Sequence, residues 1–355
     1  MKKKVTSVLM MAGGTGGHVF PALSIANECR DRGLRVSWLG TAAGIENVLV
    51  PQANFPFFTL PIRGLRGKRF TKLVTLPFAL VCSFIKSCAV ILKTNPQVVI
   101  GMGGYASGPG GLAAVFLRKR LIIHEQNAVM GLTNRLLSKI ASKTLIAFPA
   151  TANASLQAEC VGNPVRPEIV RLPSPAVRYT ARTGPLRLLI IGGSLGANVF
   201  NETLPLALPQ LSFSVEVWHQ TGKAGFSATE ARFKEFFPKA RVTAFIDNMA
   251  EAYAWADLVI CRAGALTIAE LMSAGVASIL IPYLYAVDDH QTKNAQTLVQ
   301  SGGALLLPQP LFSPASLVSH LHSVCEREIL LKMALMSYQG RENHATKKVV
   351  DLCLV

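Results

Sequence analysis

The chain has 355 residues, half of them apolar and 16% charged, which exceeds what one core ordinarily organises and points to two domains, each burying a sizeable core. Its 36 Lys and Arg against 20 Asp and Glu give a formal charge of +16, favouring partners that carry phosphate: nucleic acid, anionic lipid or a pyrophosphate substrate. Seven scattered cysteines without a CxxC pair suggest neither a disulfide framework nor a zinc site, and fit a reducing cytoplasm.

The start, Lys2-Lys3-Lys4 followed by VTSVLMMA, superficially resembles a signal peptide. The apolar run is short, however, and meets glycines instead of an A-x-A cleavage site, so it reads as a first strand. It leads into LMMAGGTGGHVFP, residues 9–21, a turn with four glycines between a strand and a helix expected over 21–32. Such a turn lets backbone approach a ligand closely, and the helix start offers N–H groups and a positive dipole end to an anion. It is neither of the two common nucleotide fingerprints: G-x-G-x-x-G counted from Gly14 meets Val19, and no Gly-Lys-Ser/Thr follows it. His18 adds a titratable group beside the glycines. Gly33 stops the helix, and 34–39 reads as the second strand.

Next comes a basic stretch, Arg63, Arg66, Lys68, Arg69 and Lys72, leading into the apolar segment 73–92, LVTLPFALVCSFIKSCAVIL. It is nearly long enough to span a bilayer, but Pro77 and Lys86 interrupt it. Basic residues beside an apolar helix suit an anionic membrane surface, with a buried core helix as the alternative. The strand 97–100 runs into a second glycine loop, GMGGYASGPGG, residues 101–111. Strand 121–124 then ends in Glu125, Gln126 and Asn127, polar groups at a strand's carboxyl end where open α/β sheets bind ligands. A further strand, 144–148, completes the first sheet.

Residues 162–185, with five prolines and little periodicity, read as a linker. The domains are accordingly 1–162 and 186–355, joined by 163–185, with the last helix a candidate to pack back on the first domain. Beyond the linker the opening device returns: strand 186–191, the turn GGSLGA at 192–197, and a helix from Asn198. Two halves that begin alike suggest two similar doubly wound domains facing a cleft. Strands at 214–219, 241–245, 258–261 and 277–281 alternate with helices at 249–255, 266–274 and 291–300, as parallel sheets require, and the region from Ser313 reads as helical. In CRAGALTIAELMSAG, residues 261–275, Thr267 and Glu270 fall in the first turns of a helix. A carboxylate there can accept two adjacent hydroxyls, as a ribose diol presents them, or simply complement the helix dipole. The loop 281–295 offers His290, Gln291 and Asn294 as neutral partners for sugar hydroxyls, and Asp288-Asp289 reads as a helix cap and not a metal site.

Taken in order, GGTGGH, HEQN, GNPVR, GGSLGA, HQTGK and RAGALTIAE followed by HQ closely resemble the membrane-associated N-acetylglucosaminyltransferases of peptidoglycan synthesis, which convert lipid I to lipid II. The resemblance runs from Gly13 beyond Gln291 and implies an α/β GT-B fold of two Rossmann-like, doubly wound parallel-sheet domains. It implies UDP-N-acetylglucosamine held mainly by the second domain and the lipid acceptor by the first. Carried to matching positions, it places Thr15, Gly16, Gly17, Asn127, Arg166, Ser194, Ile246, Ala265, Leu266, Thr267, Ile268, Ala269, Glu270 and Gln291 at the donor. One departure is Gly275-Val276-Ala277, where such motifs read Gly-x-Pro, which loosens a turn. The acceptor pyrophosphate is expected at Gly14, Gly103, Gly104, Tyr105 and Ser107. The membrane is expected at Lys72, Leu73, Leu76, Phe78, Leu80 and Phe84.

An inverting transfer from a UDP donor to a sugar hydroxyl needs a base and positive groups for the developing diphosphate charge. His18 is the first candidate for the base and Glu125 the second; a merely positioning histidine is the alternative. No metal or other cofactor is expected, so the Ser194 loop, the helix near Ala265 and Arg166 carry the diphosphate. The expected location is the cytoplasmic face of the bacterial inner membrane, bound peripherally, with other cell-wall or division proteins as further partners. Two rivals stand beside this reading. A UDP-N-acetylglucosamine 2-epimerase has the same kind of cleft but needs no basic apolar platform. A nucleic-acid-binding protein would explain the charge, but no such motif occurs.

Overall fold

The structure, a computed structural model, describes residues 5–61, 71–154, 158–180 and 182–355. Its contacts divide the chain into two compact units, residues 1–166 with 343–355, and residues 167–342.

In the first unit the strands are β1 (Ser7–Met11), β2 (Arg35–Thr41), β3 (Phe57–Leu60), β4 (Val98–Gly101), β5 (Arg120–Glu125), β6 (Lys143–Ile146) and β7 (Ala158–Cys160). They form one parallel sheet in the order β3-β2-β1-β4-β5-β6-β7. β1 reads SVLMM because both of its faces are covered. Val8 and Met10 enter a core with Ile25, Trp38 and Val349, whereas Leu9 and Met11 enter one with Ile91, Ala113 and Leu137. The helices are α1 (Gly16–Asp31), α2 (Glu46–Gln52), α3 (Thr71–Thr94), α4 (Ser107–Phe116) and α5 (Leu132–Leu137).

α1 begins at Gly16, not at Pro21 as the sequence suggested. Pro21 sits inside the helix, where it gives up only the bond to the Gly17 carbonyl, and Gly17 is exposed to water. His18 therefore lies within the first helical turn.

The second unit holds β8 (Leu186–Ile191), β9 (Val215–Gln220), β10 (Arg241–Thr243), β11 (Leu258–Cys261), β12 (Ala277–Leu280) and β13 (Ala304–Leu306), parallel in the order β10-β9-β8-β11-β12-β13. Residues expected as a linker form two short helices of this unit, α6 (Pro167–Val170) and α7 (Pro175–Tyr179). Buried Asp257 holds α7 in place. Its carboxylate pairs with Arg182 and, at 3.1 Å, with Arg327, and its backbone carbonyl accepts the Tyr179 hydroxyl at 2.7 Å. The covering helices are α8 (Asn198–Ala207), α9 (Phe226–Phe236), α10 (Met249–Trp255), α11 (Ala265–Ala274), α12 (His290–Gln300), α13 (Pro314–Ser323) and α14 (Arg327–Gln339).

The last helix, α15 (Ala345–Leu354), leaves the second unit and packs on α1, with Val349, Val350 and Cys353 in the first unit's core. Arg32 pairs with Asp351, and the Arg120 guanidinium donates to the carbonyls of Leu352 and Cys353. A cation on the last carbonyls of a helix complements its negative end.

Candidate functional site

In the first unit the glycine turn follows β1, and a buried carboxylate absent from the sequence expectations shapes it. Glu46, fully buried at the start of α2, accepts from the Gly14 N–H at 2.9 Å, the Thr41 N–H at 2.9 Å and the Thr41 hydroxyl at 2.7 Å. A Cβ at Gly13 would lie 2.4 Å from its Oε1, so the turn is moulded on this side chain. The residues beyond it, Gly14, Thr15 and Gly17, are exposed and Gly16 is half-buried.

The second glycine loop lies against the first. Gly104, at φ +81°, would set a Cβ 2.4 Å from the Gly13 carbonyl oxygen, so only glycine permits this approach. Ser107, expected to meet pyrophosphate, is fully buried instead. Its hydroxyl donates to the carbonyls of Met11 at 3.1 Å and Gly103 at 2.7 Å, bracing the loop to β1. Tyr105 is exposed beside it.

His18, half-buried in α1, sits against Gly103, where a Cβ would come within 3.0 Å of its Cε1, and its Nδ1 lies 3.0 Å from Gln126 Oε1. Glu125 is buried and holds the loop after β5 in place. Oε1 accepts from the Asn127 N–H at 3.0 Å and its side-chain amide at 3.1 Å, and Oε2 accepts from the Gly131 N–H at 3.1 Å and the Asn134 amide at 2.8 Å. Four donors thus occupy both oxygens of this carboxylate, which face the loop and its own neighbours. Asn127 is thereby oriented by Glu125. Arg166 stacks over Phe20 of α1, its guanidinium carbon 5.3 Å from the ring centre.

α3 is long and apolar enough to cross a membrane over Pro77–Thr94, and only 17% of that stretch is buried, unlike the buried core helix that was the alternative. Ser83, Ser87 and Ile91 face inward at helical spacing, and Phe84 meets Phe116 of α4 edge to face. Phe78, Leu80, Val81 and Ile85 are exposed. Leu112 and Phe116 of α4 and Leu132 and Leu136 of α5 extend this apolar exposure, which no single stretch of sequence announced. Exposed Lys86, Arg118, Arg135 and Lys139 stand on the same helices and the turns that follow them. The side chains of Lys72, Leu73 and Leu76 lie outside the described residues, as do Arg63, Arg66, Lys68 and Arg69.

In the second unit the GGSLGA turn after β8 leaves Ser194 exposed. Gln220, at the end of β9, was missed by sequence reasoning although it lies within HQTGK. Its amide donates to the Gly193 carbonyl at 2.8 Å and its oxygen accepts the Ile246 N–H at 3.3 Å, tying the turn that carries Ser194 to Ile246. α11 starts at Ala265, with Thr267 and Ala269 half-buried and Ala265 and Leu266 nearly covered. Ile268 is fully buried, so its side chain belongs to the core rather than to a ligand. Glu270 is 4% exposed and accepts the Tyr253 hydroxyl at 3.0 Å. The turn after α11 closes with Gly275 left-handed and Val276 N–H on the Leu271 carbonyl at 3.2 Å, so the missing proline leaves a capped helix end.

Arg262 was also missed. It donates to the carbonyls of Ile281 and Pro282, lies over Phe200 and Tyr283, and burial lowers its pKa to about 10. Gln291 is half-buried and accepts the Tyr283 N–H at 2.8 Å, whereas Asn294 is fully buried and donates to the Ala263 carbonyl. Among the described residues no group of three His, Cys, Asp or Glu side chains is placed to hold a metal.

Residues 8–146 match the glycosyltransferase family 28 N-terminal domain, and 187–349 match the C-terminal domain of that family. A Cellvibrio japonicus protein named UDP-N-acetylglucosamine--N-acetylmuramyl-(pentapeptide) pyrophosphoryl-undecaprenol N-acetylglucosamine transferase is 50% identical, over 99% of this chain and 98% of its own. An Aeromonas hydrophila protein of the same name is 47% identical, over 98% of this chain and 96% of its own. The crystal structure of Acinetobacter baumannii MurG is 40% identical with a TM-score of 0.85, covering 98% of this chain and 99% of that one.

Proposed function

The chain belongs to glycosyltransferase family 28, whose two domains it carries in order, and from that premise we propose the transfer it performs. N-acetylglucosamine moves from UDP-N-acetylglucosamine to the 4-hydroxyl of the N-acetylmuramoyl-pentapeptide on undecaprenyl pyrophosphate, converting lipid I to lipid II. The epimerase alternative is not favoured, since curated relatives at 45–50% identity carry the transferase name.

The observation that carries the catalytic reading is His18, an imidazole in the first turn of α1 between two glycine loops. His18 Nε2 takes the proton of the acceptor hydroxyl as that oxygen attacks the anomeric carbon from the face opposite UDP, inverting it. Gly103 and Gly104, with Tyr105 beside them, bind the acceptor pyrophosphate through backbone N–H groups, whereas the Gly14 N–H is already taken by Glu46. The Ser194 turn and the N-terminus of α11 stabilise the UDP charge as it develops, and Arg166 adds a cation to the donor phosphates. Glu270 receives the ribose hydroxyls, Ile246 meets uracil through its backbone, and Gln291 and Asn127 contact the transferred sugar. Glu125 fixes Asn127 and does not act as the base.

The test is transfer of labelled N-acetylglucosamine from its UDP donor to lipid I in detergent with EDTA present. Labelled lipid II is the expected product. No product with or without magnesium, while UDP still binds, would overturn the acceptor assignment.

The outward apolar face of α3, α4 and α5 rests on the cytoplasmic leaflet of the inner membrane, with the adjacent cations on anionic headgroups, each worth about 1 kcal/mol near such a surface. The double variant Phe78→Ser/Leu80→Ser is expected to lose binding to anionic vesicles in a sedimentation assay. Because Phe78 is 75% exposed and Leu80 40%, its thermal midpoint should stay close to that of the parent. Unchanged vesicle binding would remove this face from the membrane assignment.

A further inference from the structure

Four groups of the first unit form a continuous hydrogen-bond chain, and its polarity is fixed from the buried end. His124 is fully buried at the end of β5, and its Nε2 lies 2.9 Å from the carbonyl oxygen of Gly162 in the GNPVR motif. A carbonyl only accepts, so Nε2 carries the proton. Burial holds the His124 pKa down at about 4, so the ring is neutral and its Nδ1 is a bare acceptor.

The buried Gln126 amide meets two acceptors on one side: His124 Nδ1 at 3.3 Å and the His124 carbonyl oxygen at 3.3 Å. Its NH₂ group must face both, because the reversed amide would set oxygen against oxygen and against a lone pair. Asn163, also of GNPVR, donates to the Gln126 carbonyl at 3.0 Å and fixes the backbone beneath. Gln126 Oε1 is left pointing at His18 Nδ1, 3.0 Å away, and an amide oxygen requires a donor there.

We infer that Gln126, oriented by His124 and the Gly162 carbonyl, is a positioning residue that holds neutral His18 in the tautomer protonated on Nδ1, leaving Nε2 as the basic nitrogen. This rests on the reading of His18 as the base. In effect the chain presets the proton pattern that a carboxylate provides in other histidine-based sites, but with a neutral group. The partner therefore orients the ring without adding a negative charge beside it. Gly103 completes the setting, since a side chain there would press on the same ring edge.

The experiment records ring nitrogen shifts in protein labelled with ¹⁵N-histidine at a pH where imidazole is neutral, with His18 assigned by its loss in His18→Ala. Protonated Nδ1 and bare Nε2 in the parent are expected; the reverse pattern overturns the inference outright. Gln126→Leu should move His18 toward protonated Nε2 and lower kcat about 10- to 100-fold, less than the loss of the base itself, with donor KM within about threefold. Gln126→Glu keeps an oxygen facing His18 but sets its other oxygen against the His124 carbonyl and Nδ1, so it should melt at a lower temperature while the folded protein recovers protonated Nδ1 on His18 and most of kcat. A Gln126→Leu protein with the parental melting transition and unchanged kcat, or a folded Gln126→Glu as impaired as Gln126→Leu, counts against the inference. Should Gln126→Leu fail to fold, the parent's tautomer and Gln126→Glu decide. If His18→Ala keeps its kcat, the base reading falls while the tautomer result stands separately.

Discussion

Replacing His18 with alanine is expected to lower kcat by about 10²- to 10⁴-fold, the usual contribution of a general base, while the donor KM moves by less than about threefold. The loss falls on kcat because the proposed donor contacts lie mainly elsewhere, at the Ser194 turn, Glu270 and Gln291. An interaction made as the acceptor proton leaves does not stabilise bound donor. The fold should tolerate the change, since His18 is half-buried and, among the described residues, its side chain hydrogen-bonds to Gln126 alone. Glu125→Gln provides the contrast. It would aim an NH₂ group at donors that now point to a carboxylate, at a cost of about 1–3 kcal/mol, so it lowers the melting temperature along with activity. Steady-state kinetics with lipid I, together with melting curves, separate the two. A His18→Ala enzyme with parental kcat would end the base assignment.

The largest effect on stability is expected from Asp257→Ala. Asp257 is fully buried before β11 and accepts from the Arg187 N–H at 3.0 Å, from Arg327 at 3.1 Å and from Arg182. The Arg182 side chain is only 8% exposed, so removing the carboxylate strands a guanidinium where water screens it poorly. Breaking a buried pair in this way costs about 3–5 kcal/mol. Arg182 keeps its bond to the Ala256 carbonyl, which limits the loss, and the Tyr179 hydroxyl still finds the backbone carbonyl of residue 257. Urea unfolding followed by tryptophan fluorescence checks this, because Trp218 and Trp255 pack edge to face in the second unit. Arg327→Ala should cost less, its side chain being 26% exposed. A loss below about 1 kcal/mol for Asp257→Ala would show the ion pairs to be incidental to holding α7.

Parallel strands buried on both faces write continuous apolar runs, and glycine turns at their carboxyl ends write themselves as plainly, so β1, β4, β8, β11 and β12 were legible. The short edge strands β3, β7 and β13, of three or four residues, were not, because runs of that length carry no period and form only when a neighbouring strand supplies their hydrogen bonds. Pro21 misled the helix start for a related reason: a proline favours a first turn but is tolerated later where the carbonyl it abandons reaches water.

What the sequence alone determined is the pair of doubly wound domains, the ordered motifs of the family, and the residue types available for transfer. What only the tertiary structure decided is which polar groups those motifs leave for a ligand. Glu46 under Gly14, Gln220 between Gly193 and Ile246, and the path from Gly162 to His18 join residues distant in the chain. Ser107, read as a pyrophosphate contact, and Glu125, read as the second candidate for the base, are occupied by backbone and side-chain partners. A buried polar atom must find a partner, and which partner is near enough is a property of the folded backbone, not of spacing along the chain.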